Sequence, residues 1–159
     1  MSLLDKEPVK RAEKSLKDFD KSLEVIILEN SARTAQDAAK ALECNVGAIV
    51  KSLLFKAGDV FILCLVAGDK RCSLNKLKEI KDEKDISMAS PGDVKAQTGY
   101  TIGGVSPIGH LEKIEILIDN SLERFNELFA AAGHPNCIFK INFKDIQKIT
   151  NGKVEDIIE

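Results

Sequence analysis

The 159-residue chain lacks most of the features that announce a protein class. Its apolar run through residues 61–67 falls far short of the ~20 residues a membrane-crossing helix requires. No basic stretch followed by an apolar one opens it, so no secretory leader is expected, and the cytoplasm is the expected location. None of Cys44, Cys64, Cys72 and Cys137 forms a C-x-x-C pair, and without a leader all four are expected as reduced thiols. There is no internal repeat, low-complexity tract or Pro/Gly-rich linker. At ~150 residues per domain, residues 1–159 are expected to fold as one. Positive charge is not in surplus: 23 Lys and Arg stand against 25 Asp and Glu, a net charge of -2. That excludes a protein that coats DNA or other long nucleic acid by charge, because such binding scales with the phosphates neutralised. It leaves room for a small basic pocket that grips one nucleic-acid end. The phosphate-binding P-loop and the G-x-G-x-x-G fingerprint are missing, which argues against a doubly wound dinucleotide fold. His134 and Cys137 are three apart, but nothing supplies the rest of a ligand set, so no metal and no cofactor are expected.

What the chain does have is an ordinary globular mixture, 44% apolar and 30% charged. Residues 69–85 carry six basic and five acidic side chains, the mark of a solvated face. Val9, Ala12, Leu16 and Phe19 recur at helical spacing. Residues 23–28 read as a short strand. Thr34 to Asp37 resembles a capping box ahead of a small-residue helix face of Ala35, Ala38, Ala39 and Leu42. Residues 49–55 and 60–66 read as strands joined by a hairpin at Gly58-Asp59. Ser73 caps a short helix bearing Leu74, Leu77 and Ile80. Ser90-Pro91-Gly92-Asp93 starts another, which Gly99 closes. Residues 100–110 form a glycine-rich loop, and residues 114–119 a strand. Asn120 or Ser121 is expected to cap a helix with Leu122, Phe125, Leu128 and Phe129 on one face, ended by Gly133. Residues 137–141 read as a strand, Phe143, Ile146 and Ile149 mark a last helix, and residues 154–158 a final strand. Interleaved helices and strands with at least one hairpin predict an α/β fold with a mixed sheet.

Four places carry potential chemistry. Lys51 shares a strand face with Ile49, Leu53 and Phe55. It reads either as a strand-end lysine that reaches to water or as a cation held over a pocket, fit for a phosphate, carboxylate or ester carbonyl. Gly103, Gly104 and Gly109 fall within seven residues, with Val105, Ser106, Pro107 and Ile108 between. Such a loop is either a tight connection or a set of backbone N–H donors for an anion or oxyanion. Ser106 is no nucleophile elbow, because the spacing is G-x-S-x-x-G and a proline follows. Asp119 ends a strand, either as a turn residue or as a carboxylate at a ligand-bearing sheet edge. His134 lies just beyond the expected helix end, either against its carbonyls or facing a pocket.

The set Val50-Lys51-Ser52-Leu53-Leu54-Phe55, the loop from Gly103 to Gly109, and Ile118-Asp119 resembles the YbaK/EbsC family of aminoacyl-tRNA deacylases, which includes the editing domain of bacterial prolyl-tRNA synthetases. Thr34-Ala35, Ala38-Ala39, the Cys72 to Leu77 stretch, Thr98-Gly99 and Ala131-Ala132-Gly133 extend the match over roughly residues 20–155. The resemblance implies a mixed sheet partly rolled into a barrel with surrounding helices. It implies hydrolysis in trans of mischarged aminoacyl-tRNA, most readily tRNA(Pro) carrying a wrong small amino acid. The partners it implies are the acceptor end of that tRNA and prolyl-tRNA synthetase. Lys51, Gly103, Gly104, Ser106 and Asp119 match the family's catalytic positions. Val105, Pro107, Gly109 and His134 are expected to bind substrate. The Gly-His-Pro-Asn sequence at 133–136 departs from the better-known cysteinyl-tRNA(Pro) deacylases. A different class of reading is a non-catalytic module that holds a tRNA end or aminoacyl-nucleotide on a synthetase. A third is a thiol enzyme using Cys72 or Cys137.

Overall fold

The computed structural model describes residues 2–30 and 32–159, with five α-helices and eight strands among them. Helix α1 (Glu7–Phe19) buries Val9, Ala12 and Leu16, the stripe its spacing predicts. Helices α2 (Ala35–Leu42), α3 (Leu74–Lys81), α4 (Pro91–Thr98) and α5 (Phe143–Thr150) follow in chain order. Each of these four begins at a side chain that accepts an N–H three residues on: Thr34, Ser73, Ser90 and Asn142. Such a cap satisfies one of the N–H groups a helix start leaves unpaired. Gly99 closes α4 at a φ of 80°, a conformation glycine adopts without strain.

The strands form two sheets. β1 (Ile26–Ile27), β7 (Cys137–Ile141) and β6 (Leu128–His134) make an antiparallel three-stranded sheet in that order. β4 (Ile86–Met88), β2 (Val50–Ala57), β3 (Val60–Ala67), β5 (Glu115–Asp119) and β8 (Lys153–Glu155) make the larger one. β2 and β3 are the expected hairpin, in register from Val50 opposite Ala67 to Ala57 opposite Val60. β3–β5 and β5–β8 are parallel, so the sheet is mixed as the sequence predicts. The two sheets touch at a parallel bridge between Ile49 and Phe129. No closed barrel is found among the described residues, and beyond the Ile49–Phe129 bridge the strand pairings do not confirm the partly rolled form that the resemblance implies.

Both faces of β3 are covered. Leu63 and Leu65 join the main core with Val50, Leu54, Leu16, Tyr100 and Phe139. Ile62, Cys64 and Val66 pack the other way, against Phe55, Leu77 of α3, Leu117 and Ile157. A strand buried on both sides reads as a continuous apolar run, not as an alternating one.

One element differs from expectation. The helix predicted after residue 120 is a 3-10 turn (Asn120–Arg124) followed by strand β6. Neither Asn120 nor Ser121 is the cap; Asp119 is. Leu122, Phe125 and Leu128 are three apart, which imitates a helical face. From Leu128 onward, however, burial alternates: Leu128, Ala130 and Ala132 are buried, and Phe129, Ala131 and Gly133 less so. Pairing with β7 on one side and packing of α1 on the other override the helix preference of three consecutive alanines.

Candidate functional site

A cavity of about 270 Å³ lies where the edge of the large sheet faces the small one. β2 supplies Val50 to Leu54, β6 supplies Phe129 to Ala131, and α2 closes one side with Thr34, Ala35 and Ala38. Ile102, Gly103, Val105, His134 and Pro135 complete the wall, which is mostly apolar.

Lys51 is half-buried, with its stem on the β2 face shared by Leu53 and Phe55. Its ammonium donates to the Lys70 carbonyl at the turn after β3. Lys51, Leu53 and Met88 are the wall that the cavity shares with a more open depression bordered by Arg71, Cys72, Ser73 and Asn75. Burial pulls the ammonium below the ordinary lysine range, and the charges of Asp69, Cys72 and Asp119 oppose that pull.

The glycine loop divides into two halves with different surroundings. Gly103 and Val105 line the cavity; Gly104, Ser106, Pro107 and Gly109 do not. Gly103 has a φ of 97°, and Pro135 and Arg33 lie about 3.5 Å from where a Cβ would stand. Gly104 is wedged against β6: its N–H goes to the Thr101 carbonyl (3.0 Å), and its own carbonyl accepts from the Gly133 N–H (3.1 Å). The Gly104 N–H is therefore committed and has nothing to offer an oxyanion. Among the described residues, no backbone or side-chain acceptor takes the Gly103 or Val105 N–H. Ser106 is fully buried, with its carbonyl bonded to His110 Nε2 (2.7 Å). Gly109 holds a φ of 72°, and a Cβ there would meet the Tyr100 hydroxyl at 2.7 Å. Arg11 of α1 ties this half down. It donates from Nε to the Gly109 carbonyl (2.7 Å) and stacks over the Tyr100 ring at 4.7 Å. The Tyr100 hydroxyl donates to the Ile108 carbonyl (2.8 Å), and burial first of all pushes its pKa up to about 12.

Asp119 is fully buried and its oxygens are engaged. Oδ2 accepts from the Ala67 N–H (2.9 Å) and the Ser121 hydroxyl (2.8 Å), and Oδ1 from the Ser121 N–H (2.8 Å). It joins the ends of the parallel strands β3 and β5 and caps the following turn. It lies outside the cavity wall.

His134 is on the cavity wall, at the bulge that ends β6 and not at a helix end. Its Nδ1 accepts the Asn136 N–H (3.0 Å), which leaves the ring proton of the neutral form on Nε2. Burial first, then the charges of Lys6 and Arg33, hold its pKa below the ordinary histidine value.

Of the thiols, Cys137 borders the cavity but is buried, and burial pushes its pKa up. Cys72 lies in the open depression; the neighbouring Cys64 thiol draws its pKa down and Lys51 adds to that. Among the described residues, no cluster of three His, Cys, Asp or Glu could hold a metal ion, and no helix is long and apolar enough to cross a membrane.

Sequence reasoning passed over Ser52. Its hydroxyl is the one buried side-chain polar atom without a hydrogen-bond partner among the described residues, and it borders the cavity. The signal was present: a polar residue on the core-facing step between Val50 and Leu54.

A small apolar cavity with a lysine, free loop amides and a neutral histidine on its wall is a site for one modest organic group. Comparison with known proteins gives the family. Residues 29–149 match the family model of the aminoacyl-tRNA editing domain, and the chain belongs to that family. It is 34% identical over 137 residues to the uncharacterized protein YwhH of Bacillus subtilis, covering 86% of this chain and 87% of that one. It is 32% identical over 106 residues to a proline–tRNA ligase of Thermosipho africanus. That match covers 67% of this chain but only 18% of the ligase. A crystal structure described as a candidate trans-editing enzyme for prolyl tRNA synthetase superposes with a TM-score of 0.91 at 34% identity, covering 97% of this chain and 98% of that one.

Proposed function

We propose that the protein deacylates mischarged aminoacyl-tRNA in trans, most readily tRNA(Pro) carrying a wrong small amino acid, within the cytoplasm and alongside prolyl-tRNA synthetase. The observation that carries this is the cavity itself. At about 270 Å³ it falls just under the ~300–1,000 Å³ of ordinary small-molecule sites. That suits one small acyl group, with the rest of the tRNA outside.

The ester is already activated, so the site has to place it and stabilise the charge that develops. Water adds to the carbonyl carbon, the bond from that carbon to the ribose oxygen breaks, and the ribose oxygen takes the proton. The Gly103 and Val105 N–H groups supply donors for the oxyanion, each worth about 3 kcal/mol when well aimed. The two Lys51 N–H donors not used on Lys70 hold a phosphate or the carbonyl oxygen. His134, on the cavity wall with its Nδ1 engaged by Asn136, has Nε2–H to donate. Gly104, Ser106, Pro107, Gly109 and Asp119 serve as scaffold, fixing the loop and the strand ends around these groups.

Single-turnover deacylation tests the reading, with tRNA(Pro) charged separately with Cys, Ala, Ser, 2-aminobutyrate or Pro. Rapid loss of one mischarged ester with Pro-tRNA(Pro) spared is expected. Saturable binding of the same tRNAs with no faster ester loss would favour the non-catalytic module instead. Lys51→Ala with full activity would remove Lys51 from the mechanism.

A further inference from the structure

β2 is sewn to β3 along its whole length, but its other side is not covered evenly. β4 pairs with it only from Phe55 to Ala57, and β6 meets the chain at Ile49. The Leu54 carbonyl accepts from the Ala89 N–H (3.0 Å) on this outer side. In a strand, alternate residues aim their N–H and C=O the same way, so those of Ser52 point to the same edge. There they face the cavity with no strand opposite. The Ser52 hydroxyl, on the core-facing side, is also unpartnered, in a wall of Val50, Leu54, Ala130 and Ile138.

A donor and an acceptor side by side on a bare strand edge are the complement of one extended amino-acid residue. A residue opposite Ser52 in an antiparallel pair would exchange both hydrogen bonds with it: its ammonium donating to the Ser52 carbonyl, its ester carbonyl accepting the Ser52 N–H. Its side chain would then project on the same side as the Ser52 side chain, with the two Cβ atoms ~4.5–5.5 Å apart. An apolar substrate side chain would leave the hydroxyl unpaired in an apolar wall. A hydroxyl-bearing one would satisfy it.

Resting on the deacylase reading above, we propose that the aminoacyl group binds as a one-residue strand against Ser52, and that the Ser52 hydroxyl selects a small hydroxyl-bearing side chain, serine over alanine.

The test uses amide-linked 3′-seryl- and 3′-alanyl-amino-3′-deoxyadenosine, which cannot be hydrolysed, titrated against the wild type, Ser52→Ala and Ser52→Cys. The wild type is expected to bind the seryl compound ten- to a hundredfold more tightly than the alanyl one. Both variants are expected to lose that preference. Ser52→Ala removes an unsatisfied polar atom, so its thermal unfolding should come no earlier than that of the wild type. A seryl-to-alanyl ratio unchanged by either substitution, a wild-type preference for alanyl, or no binding of either compound would overturn the proposal. A Ser52-dependent preference in a protein that hydrolyses no ester would uphold this inference and sink the deacylase reading. Ester hydrolysis with a ratio indifferent to Ser52 would do the reverse.

Discussion

Removing the Asp119 carboxylate is expected to break the fold before it breaks the chemistry. In Asp119→Ala the buried Ala67 N–H at the end of β3 loses its acceptor. An orphaned buried donor costs about 1–3 kcal/mol. The two bonds from Ser121 also go. Ser121 is half-exposed, so water replaces them in part, and the loss is that of a cap, about 1 kcal/mol. The sum is about 2–4 kcal/mol. A chain of this size shifts its melting temperature by ~2–4 °C per kcal/mol, so a fall of roughly 5–15 °C follows. Asp119→Asn keeps one acceptor oxygen and should fall by about half as much. The assay is thermal unfolding of all three proteins, paired with deacylation at 10 °C and 37 °C. If Asp119 is scaffold, residual activity tracks the folded fraction and recovers in the cold. An Asp119→Asn protein of wild-type stability with no activity at either temperature would refute this reasoning and make the carboxylate part of the chemistry.

Lys51 has its pKa drawn below the ordinary value of 10.5, chiefly by burial, so its positive charge is lost at a lower pH than that of a free lysine. The ratio of catalysed to spontaneous ester loss should therefore fall with rising pH before 10.5 is reached, and Lys51→Met should show a flat ratio over the same range. In Gly104→Ala the new Cβ would stand 2.9 Å from the His134 nitrogen and 3.0 Å from its Cα, backbone atoms that cannot swing aside. A loss of about 1–3 kcal/mol is expected by chemical denaturation, because overpacking a fixed contact has that magnitude. His110 has its pKa lowered by burial while it bonds to the Ser106 carbonyl. Its contribution to stability is full above pH 6.5, the ordinary histidine value that holds in the unfolded chain, and is lost as pH falls from there through the lowered folded value. The urea midpoint should drop between pH 7.5 and 5.5, and less steeply in His110→Asn. The carboxylates with lowered pKa, such as Asp69, act in a separate window below 3.8.

Much of the fold was legible because its signals are local. The caps at Thr34, Ser73 and Ser90 and the Gly58-Asp59 hairpin each depend on a few neighbouring residues, and each stands where the sequence put it. β6 was not legible, because an alanine run has no strand signal of its own; β7 and α1 supply the reason from outside. The site was half legible for the same reason. Lys51 stands out as a charge on an apolar strand, and the structure places it half-buried on the cavity wall. The residue types in Gly103 to Gly109 could not say which amides are already used; that is decided by Thr101, Gly133 and Arg11. Asp119 carries a carboxylate that the motif places among catalytic positions, and a hydrogen bond from Ala67, distant in sequence, engages it; Ser106 is buried, with its carbonyl held by the nearby His110.

The interrupted edge of β2 also bears on solubility. Bare strand edges are where β-proteins recruit further chains, and natural sheets blunt them with charge, proline or cover. Here the uncovered stretch lies between the Ile49 bridge and the pairing at Phe55, and residues of α2 and of the glycine loop line the same cavity. Fibril-forming segments run to about six or seven residues in flat register. A gap this short and recessed admits a single residue and turns away a strand, so the same shortness that makes it fit for a small ligand keeps it from seeding aggregation.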